Sequence, residues 1–344
     1  MNLTSKFRGC LIGGLLGDCL GAPFEGENRI SKSVLNSYFN RLLDPSLKVP
    51  YKSYTDDSAM TKCIASSLVE KKEFHVTDIA KRFVKEYYAE PNRGYGKNVV
   101  DVFAALRASG FKDVFAPAAR QFGGTGSYGN GAAMRIAPIA LFTHSEPIPV
   151  VIDMSKQSAK VTHANRLGYN GAILQAVAIR DALLHKGENI NPLTFVERLI
   201  SCMRMVEKYT EEEIIDHNKK SEYIYCSALE KIKFLLEKGN DVSISDVVDS
   251  LGNEISAPGS VPTAIYVFLR AQKQIEAVET DNPFQRTIHY AVSLGGDTDT
   301  IAAMAGNIAG AFYGVEKIPE GFMHHCEGVE EMNKLAKDLV NLDR

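Results

Sequence analysis

The chain has 344 residues, of which 45% are hydrophobic, and its formal net charge is −3. A chain of this length can bury a large core, as one large domain or two ordinary ones. The charge lacks the basic excess of nucleic-acid-binding proteins, so no direct binding of nucleic acid is predicted. The six cysteines form no CxxC pair and are predicted to be reduced intracellular thiols. Residues 324–326 (HHC) have no second ligand pair at zinc spacing, so no zinc site is predicted.

The N-terminal segment, residues 5–23, has the basic start, apolar run and small residues of a signal peptide. Two features indicate a packed helix instead. Glycine recurs at every fourth position from Gly9 to Gly21, and Asp18 interrupts the apolar run. We therefore predict a tightly packed core helix and not a removable leader. No apolar run in the chain approaches the roughly 18–20 residues of a membrane span.

Apolar residues at helical spacing predict helices along most of the remaining chain. Met60 and Ile64 belong to one such pattern, and residues 170–185, 227–239 and 329–339 show others. Strand-like alternation is scarce.

Two segments between these helices are less clear. Residues 147–154 could form a strand, although residues 151–163 continue with a helical pattern. The polar residues 207–223 are predicted to be a solvated loop or helix face and not a domain boundary. With no repeat and no low-complexity linker, the sequence predicts an all-α protein with a single domain over residues 1–344.

Two acidic segments each precede an apolar helical run. One holds Thr55, Asp56 and Asp57, and the other holds Asp297 and Asp299, followed by Thr300. Taken singly, each is explained by an ordinary helix N-terminus, where such residues are favoured. Taken together, they offer hard oxygen ligands that suit Mg²⁺, Mn²⁺ or Ca²⁺ better than Zn²⁺. Four converging carboxylates could hold two divalent cations, which would offset their mutual repulsion.

A glycine-rich segment lies at residues 121–141, with five glycines between Gly123 and Gly131. Backbone N–H groups of such a loop can approach phosphate oxygens, and a helix beginning near Ala132 would add its positive end. The segment lacks the GK[ST] of a P-loop. A flexible turn or a close helix crossing would explain the glycines equally well. The flanking Phe122 and Tyr128 suit stacking on a nucleotide base, or they are core aromatics.

These motifs occur in the order seen in the ADP-ribosylhydrolase family, which includes the dinitrogenase-reductase-activating glycohydrolases. The chain resembles that family from about residue 7 to residue 314. The stretches PFEGENRI, GSYGNGAAMR and SVPTAIYVF are most similar to the serine-specific branch, the third vertebrate type. The paired acidic motifs are the most specific part of the resemblance.

The resemblance implies a compact, all-α orthogonal helical bundle with a central site for two Mg²⁺ ions. It implies metal ligands at Glu25, Thr55, Asp56, Asp57, Asp297, Asp299 and Thr300. Of these, Glu25, Asp56 and Asp57 are the predicted catalytic residues, with Glu25 on a mobile flap. It implies substrate contacts at Phe122, Thr125, Gly126, Ser127, Tyr128, Gly129, Asn130, Gly131, His163 and Ile255. Thr125 departs from the lysine found in some relatives, which bears on pyrophosphate binding. Outside the family context, Glu25 would be a solvated loop acid and His163 a helix-start residue.

The predicted function is a Mg²⁺-dependent glycosidic hydrolase that releases ADP-ribose from serine, and also degrades poly(ADP-ribose) and O-acetyl-ADP-ribose. The alternatives are an arginine-specific ADP-ribosylhydrolase, a non-catalytic ADP-ribose-binding or crystallin-like relative, and a two-metal phosphohydrolase. The predicted partner is the ADP-ribose moiety of a modified protein or polymer, and a monomer is expected. Cytoplasm and nucleus are the predicted compartments, to which the resemblance adds the mitochondrial matrix.

Overall fold

The structure, a computed structural model, describes residues 2–208, 223–276 and 278–342. The described residues form helices and connecting loops. They include isolated bridges, such as that between Lys52 and Cys326, but no strand. This confirms the all-α prediction. In the part of the chain that the structure describes, no helix has the length and apolar character needed to cross a membrane.

Within the described residues, the α-helices follow one another along the chain, and several are joined by short 3₁₀ turns. They are α1 (Leu3–Gly21), α2 (Lys32–Leu42), α3 (Asp56–Lys71), α4 (Val76–Ala89), α5 (Lys97–Ala108), α6 (Ala116–Ala119), α7 (Gln121–Gly124), α8 (Ala137–Phe142), α9 (Ile148–Lys160), α10 (Arg166–Leu184), α11 (Pro192–Val206), α12 (Ile224–Lys238), α13 (Ile244–Leu251), α14 (Val261–Arg270), α15 (Pro283–Ser293), α16 (Thr298–Tyr313), α17 (Glu320–His324) and α18 (Val329–Val340).

The central feature is the contact between α1 and α16, which run antiparallel with their backbones nearly touching. A Cβ atom on Gly310 would lie 1.8 Å from the carbonyl oxygen of Gly9, and one on Gly13 would lie 2.3 Å from that of Gly306. Only glycine permits so close an approach at these positions. The glycines at every fourth position therefore allow α1 to be a buried, tightly packed helix, as the sequence predicts.

This pairing brings the C-terminal end of α1 beside the N-terminal end of α16. At Gly21, an added Cβ would lie 2.5 Å from the carbonyl oxygen of Thr298. The side chain of Thr298 also donates a hydrogen bond to the Gly21 carbonyl, with the oxygens 2.9 Å apart. The segment that follows α1 and the first turn of α16 are thereby fixed against each other. The core around them is one cluster of buried side chains, and all six cysteines are buried with free thiols.

Residues 147–154, for which the sequence offers both a strand and a helix, are helical: α9 begins at Ile148, and Pro149 occupies its first turn, where proline favours a helix. One local prediction from the sequence is wrong. No α-helix begins near Ala132: residues 130–132 form a single 3₁₀ turn, and α8 begins only at Ala137. Of the polar residues 207–223, residues 209–222 lie outside the described part of the chain.

Candidate functional site

Three helix ends meet around one cavity of about 240 Å³. The C-terminal end of α1 leads into the loop that carries Glu25, and the N-terminal ends of α3 and α16 carry the two acidic segments. The helix dipoles place partial positive charge at the N-terminal ends of α3 and α16, where the carboxylates lie. The structure thus brings together sequence positions that are more than two hundred residues apart.

The first group of carboxylates joins the flap residue to the second acidic segment. Oxygens of Glu25, Asp297 and Asp299 all lie within 4.8 Å of one another. The loop of Glu25 is tied to the same turn: the N–H of Gly26 donates to the carbonyl of Gly296 at 2.8 Å, and the N–H of Gly296 donates to that of Glu27 at 2.9 Å. Glu25 is exposed and the two aspartates are buried.

The second group lies at the start of α3. The hydroxyls of Thr55 and Thr300 each lie 3.3 Å from Oδ2 of Asp57, so α3 and α16 are linked at this carboxylate. The other oxygen of Asp57, Oδ1, is buried and has no hydrogen-bond partner among the described residues. Asp56 also lines the cavity, facing Gly94.

Burial and crowding make these carboxyls hard to ionise. Burial, with the charges of Asp18 and Asp297 adding to it, raises the pKa of Asp56 to about 7. Burial and the charge of Asp297 raise the pKa of Asp299 to about 9. Burial, with the charges of Asp18 and Asp299 adding to it, raises the pKa of Asp57 well above its ordinary value. The partial positive charges at the two helix N-termini therefore do not offset the repulsion between these carboxylates.

A divalent cation fits this arrangement. The donor set consists of carboxylate and hydroxyl oxygens, the ligands that Mg²⁺ and similar hard cations prefer. The unpartnered Oδ1 of buried Asp57 is also free to bind a cation or a hydrogen-bond donor, and leaving such a buried polar atom unsatisfied is costly. The residues that would hold the cations are those named from the sequence: Glu25, Thr55, Asp56, Asp57, Asp297, Asp299 and Thr300. Their assignment as ligands stays a prediction.

Sequence reasoning missed Asp18, which supports the site from within α1. Asp18 is 0% exposed, and its carboxylate accepts the backbone N–H of Thr55, at 3.0 and 3.1 Å, and that of Ser58 at 3.0 Å. Burial raises its pKa to about 6. An aspartate inside an otherwise apolar run, three residues before the end of α1, was the available signal.

The glycine-rich segment forms the opposite wall of the cavity. Ser127, Gly129, Asn130 and Gly131 line the cavity, and so do His163 and Ile255. The remaining predicted substrate residues belong to the same segment but do not line the cavity; they are Phe122, Thr125, Gly126 and Tyr128. Their roles as substrate contacts stay predictions.

The aromatic side chains of this segment are not core residues. Phe122 is 52% exposed and Tyr128 is 55% exposed, which removes the core-packing alternative. Phe122 has a positive φ of 51°, an uncommon conformation for an aromatic residue. Ile255, at 71% exposed, stands at the edge of the cavity, and its carbonyl accepts the N–H of Asn130 at 2.9 Å.

One hydrogen bond joins the glycine segment to the carboxylates. The side-chain amide of Asn130 donates to Oδ2 of Asp297 at 2.5 Å and to the hydroxyl of Ser260 at 3.1 Å.

On the same wall, His163 is buried behind Gly129 and Gly131, and its Nδ1 lies 2.7 Å from the hydroxyl of Thr162. Arg135, also on this wall, is fully buried, and sequence reasoning did not single it out. The cavity therefore has one acidic wall and one wall of backbone N–H groups and side-chain donors, with the guanidinium of Arg135 buried behind it.

Comparisons with a family model, with related sequences and with a solved structure agree with one another. A family model described as ADP-ribosylglycohydrolase matches residues 1–344. The protein named ADP-ribosylhydrolase ARH3 from Gallus gallus is 48% identical, over 98% of this chain and 93% of that protein. ADP-ribosylhydrolase ARH3 from Homo sapiens is 45% identical, over 97% of this chain and 93% of that protein. A solved structure titled "ADP-ribosylglycohydrolase-related protein complex" shares the fold, with a TM-score of 0.66, 22% identity and 99% of each chain covered.

Proposed function

The chain belongs to the ADP-ribosylglycohydrolase family, and we propose that it is a Mg²⁺-dependent hydrolase that releases ADP-ribose from modified serine. The observation that carries the proposal is the convergence of Glu25, Asp57 and Asp299 in one cavity, opposite a wall of glycine backbone. The similarity to proteins named ADP-ribosylhydrolase ARH3, over nearly the full chain, supports this choice of bond and substrate.

The two walls match the two ends of an ADP-ribose group. The pyrophosphate is anionic, and backbone N–H groups of residues 127–131 are suited to its oxygens. The distal ribose then lies toward the carboxylates. Two Mg²⁺ ions, when bound there, supply the positive charge that lets an anionic substrate approach this acidic wall, and they act as Lewis acids toward the ribose.

The protein residues have separate tasks in this proposal. Asp56, Asp57, Asp297 and Asp299 hold the cations and present negative charge to the anomeric carbon. A glycosidic bond breaks through an oxocarbenium-like transition state, which nearby carboxylates stabilise. Glu25 comes from the exposed loop, and partial desolvation of its carboxyl at the cavity, with the charge of Asp297, raises its pKa. A carboxyl group of that kind is suited to exchanging a proton with water or with the leaving oxygen.

We extend the proposal to poly(ADP-ribose) and O-acetyl-ADP-ribose, which present the same ADP-ribose group. The proposed protein is a monomer that does not contact nucleic acid directly. Its proposed locations are the cytoplasm and nucleus, with the mitochondrial matrix as a further one.

The deciding experiment uses peptides that carry ADP-ribose on serine or on arginine. We expect release from the serine peptide in the presence of Mg²⁺ and little from the arginine peptide. Product analysis is part of the assay, because free ADP-ribose marks glycosidic cleavage, whereas AMP marks cleavage of the pyrophosphate. Preferential release from arginine would favour the arginine-specific alternative, and tight ADP-ribose binding without release would favour a non-catalytic relative.

A matched pair of variants shows whether the cavity carries this activity. Asp299→Asn removes one charge at nearly constant volume and is expected to abolish most turnover. Asp101→Asn makes the same change at an exposed position of α5 and should retain the wild-type rate. If Asp299→Asn kept more than about half of the activity, Asp299 would not be an essential group, since such losses usually span orders of magnitude.

A further inference from the structure

Arg135 is a buried cation without a carboxylate partner in the described part of the chain. It is 0% exposed, and its guanidinium lies 4.8 Å from the centre of the Phe83 ring. Its hydrogen bonds go to neutral acceptors: Nη1 donates to the carbonyl of Gly131 at 2.6 Å, and Nη2 donates to the hydroxyl of Thr162 at 2.7 Å. One guanidinium thus contacts both the glycine segment and the residue before His163.

The hydrogen bond from Arg135 determines which way the hydroxyl of Thr162 points. Thr162 is 1% exposed, and its hydroxyl has two neighbours among the described residues, Nη2 of Arg135 and Nδ1 of His163. A guanidinium has no lone pair and can only donate. The hydroxyl proton therefore has one acceptor available, which is Nδ1 of His163, 2.7 Å away. If His163 donated instead, the buried hydroxyl proton would have no acceptor.

The ring of His163 is consequently held in one state. Burial, with the charge of Arg135 adding to it, lowers the pKa of His163 to about 3, so the ring is neutral at physiological pH. A neutral imidazole that accepts at Nδ1 carries its proton on Nε2. Nε2 has no protein hydrogen-bond partner within the described ranges, and His163 lines the cavity.

The glycines in front of the ring leave this nitrogen accessible. A Cβ atom on Gly129 would lie 3.3 Å from Nε2, and one on Gly131 would lie 2.9 Å from the adjacent ring carbon. We propose that Arg135 and Thr162 are positioning residues that fix His163 as the Nε2–H tautomer, so that it donates a hydrogen bond to an oxygen of the ADP-ribose group. The choice of ligand rests on the proposed function; the tautomer rests on the hydrogen bonds of the protein alone.

The hydrogen bonds that lead from Arg135 through Thr162 to His163, called the relay below, have a consequence for substrate specificity. A neutral donor on this wall contacts an oxygen of the substrate without adding positive charge, and it cannot accept a hydrogen bond at the same nitrogen. A site built around a fixed donor discriminates against a group that offers only a donor, because two donors would then be left unpaired. The orientation of the Thr162 hydroxyl and the tautomer of His163 are both determined by Arg135, whose side chain is fully buried.

The tautomer is measured directly by long-range ¹H–¹⁵N NMR of the histidine rings in the ligand-free protein. The chain has 8 histidines, so His163→Gln is used to assign the signals of His163. We expect Nδ1 unprotonated and Nε2 protonated in the wild type. Thr162→Val, which removes the hydroxyl at constant shape, should give a mixture of tautomers, and Thr162→Ser, which restores a hydroxyl, should return the wild-type pattern. A proton on Nδ1 in the wild type, or an unchanged pattern in Thr162→Val, would overturn the relay.

Calorimetry with ADP-ribose then tests the donated hydrogen bond. Thr162→Val should weaken binding by about five- to tenfold, the loss typical of one hydrogen bond, and Thr162→Ser should stay close to wild type. In the double variant Thr162→Val/His163→Gln, the two losses should not add, because both act on the same bond. Full additivity would show that Thr162 acts on binding independently of His163 and would overturn its positioning role. A wild-type protein that binds no ADP-ribose would contradict the proposed function, whereas the NMR result would still decide the tautomer.

Discussion

The carboxylate of Asp18, at the buried end of α1, accepts the backbone N–H of Thr55, which precedes α3, with its oxygens 3.0 and 3.1 Å from the nitrogen. It also accepts the N–H of Ser58 at 3.0 Å. A side chain of one helix thus caps the N-terminus of another, and it does so at the segment that carries Asp56 and Asp57. Asp18 lies behind these residues and holds their backbone in position through the hydrogen bonds that it accepts.

The first prediction concerns this cap. Asp18→Asn keeps the shape but places an amide NH₂ where a carboxylate oxygen accepts an N–H group. The loss of an acceptor for a buried donor costs about 1–3 kcal/mol, and we expect a loss of that size in the free energy of unfolding. Affinity for Mg²⁺ should fall as well, because Thr55 and Asp57 are no longer held in place.

Denaturant unfolding and calorimetric titration with Mg²⁺ measure the two effects. Asp101→Asn, on an exposed face of α5, is the matched control and should change neither quantity. If Asp18→Asn lowered stability but left Mg²⁺ affinity unaltered, the cap would be purely structural.

The second prediction concerns pH and follows from the raised pKa values of the acidic wall. The pKa of Asp299 is raised to about 9 in the folded protein by burial and by the charge of Asp297. In the unfolded chain an aspartate has a pKa of about 3.9. Between these values the folded state binds more protons than the unfolded state, so stability falls as pH rises.

We therefore expect the metal-free protein to melt at a lower temperature at about pH 8 than at about pH 7, a window above the range where unperturbed histidines titrate. Asp299→Asn should reduce this slope. Saturating Mg²⁺ should raise the melting temperature at both pH values, and more at the higher one, since a cation competes with protons for the same oxygens. A melting temperature that is insensitive to Mg²⁺ would contradict the metal site.

The sequence predicted the main helix contact and the acidic segments of the site better than the buried residues that hold the site in place. The glycine period of α1 and the two acidic segments are local patterns, and their consequences, a close helix contact and clustered oxygens, could be stated in advance. Asp18 and Arg135 are single polar residues inside apolar stretches, and their partners are fixed only by the tertiary fold. Nothing in the sequence near Arg135 indicates that its guanidinium contacts Thr162.

Two local details of the backbone have physical reasons of the same kind. Alternating apolar residues in PIPVVIDM are compatible with a strand, but the helical continuation that the sequence also shows prevails, because Pro149 lies in the first turn of α9. Near Ala132, the apolar run suggested a helix start, whereas the backbone of residues 130–132 is held in a 3₁₀ turn. The hydrogen bond from the Asn130 N–H to the Ile255 carbonyl, at 2.9 Å, comes from a loop that is distant in the sequence.

The third prediction tests the helix contact that positions the site. In Gly310→Ala, the new methyl group would lie 1.8 Å from the carbonyl oxygen of Gly9, and neither backbone can move without displacing its helix. We expect destabilisation of more than about 3 kcal/mol, beyond the usual cost of overpacking. Gly96→Ala is the control, because nothing lies within 4 Å of its added Cβ. Denaturant unfolding compares the two variants, and equal stability would contradict the close contact between α1 and α16.

The fourth prediction concerns the exposed aromatic residues of the glycine segment. If Phe122 or Tyr128 stacks on the adenine base, its replacement by Ala should weaken ADP-ribose binding by about 1–3 kcal/mol, with a smaller effect on the single-turnover rate. Phe234→Ala is a suitable control, because Phe234 is 56% exposed on α12, a separate helix. Unchanged affinity for both Phe122→Ala and Tyr128→Ala, measured by calorimetry, would show that neither side chain contacts the base.

The last prediction separates binding from chemistry at Glu25. This side chain is exposed and lies on the loop after α1, and its oxygen lies within 4.8 Å of oxygens of Asp297 and Asp299. Backbone hydrogen bonds of Gly26 and Glu27 to Gly296 hold the loop against that turn independently of the carboxylate. Removing the carboxyl group should therefore leave the loop in place.

Glu25→Ala is accordingly expected to lose most of its turnover while its affinity for ADP-ribose stays within about a few-fold of wild type, the pattern of an interaction made in the transition state. Glu27→Ala, two residues along the same exposed loop, is the matched control and should retain both turnover and affinity, because Glu27 accepts the Gly296 N–H with its backbone carbonyl, which the substitution keeps. Single-turnover rates at saturating substrate, together with calorimetry, distinguish the outcomes. Normal turnover with weakened binding in Glu25→Ala would make Glu25 a peripheral contact, and it would also weaken the case for serine specificity, because this glutamate is part of the resemblance to the serine-specific branch.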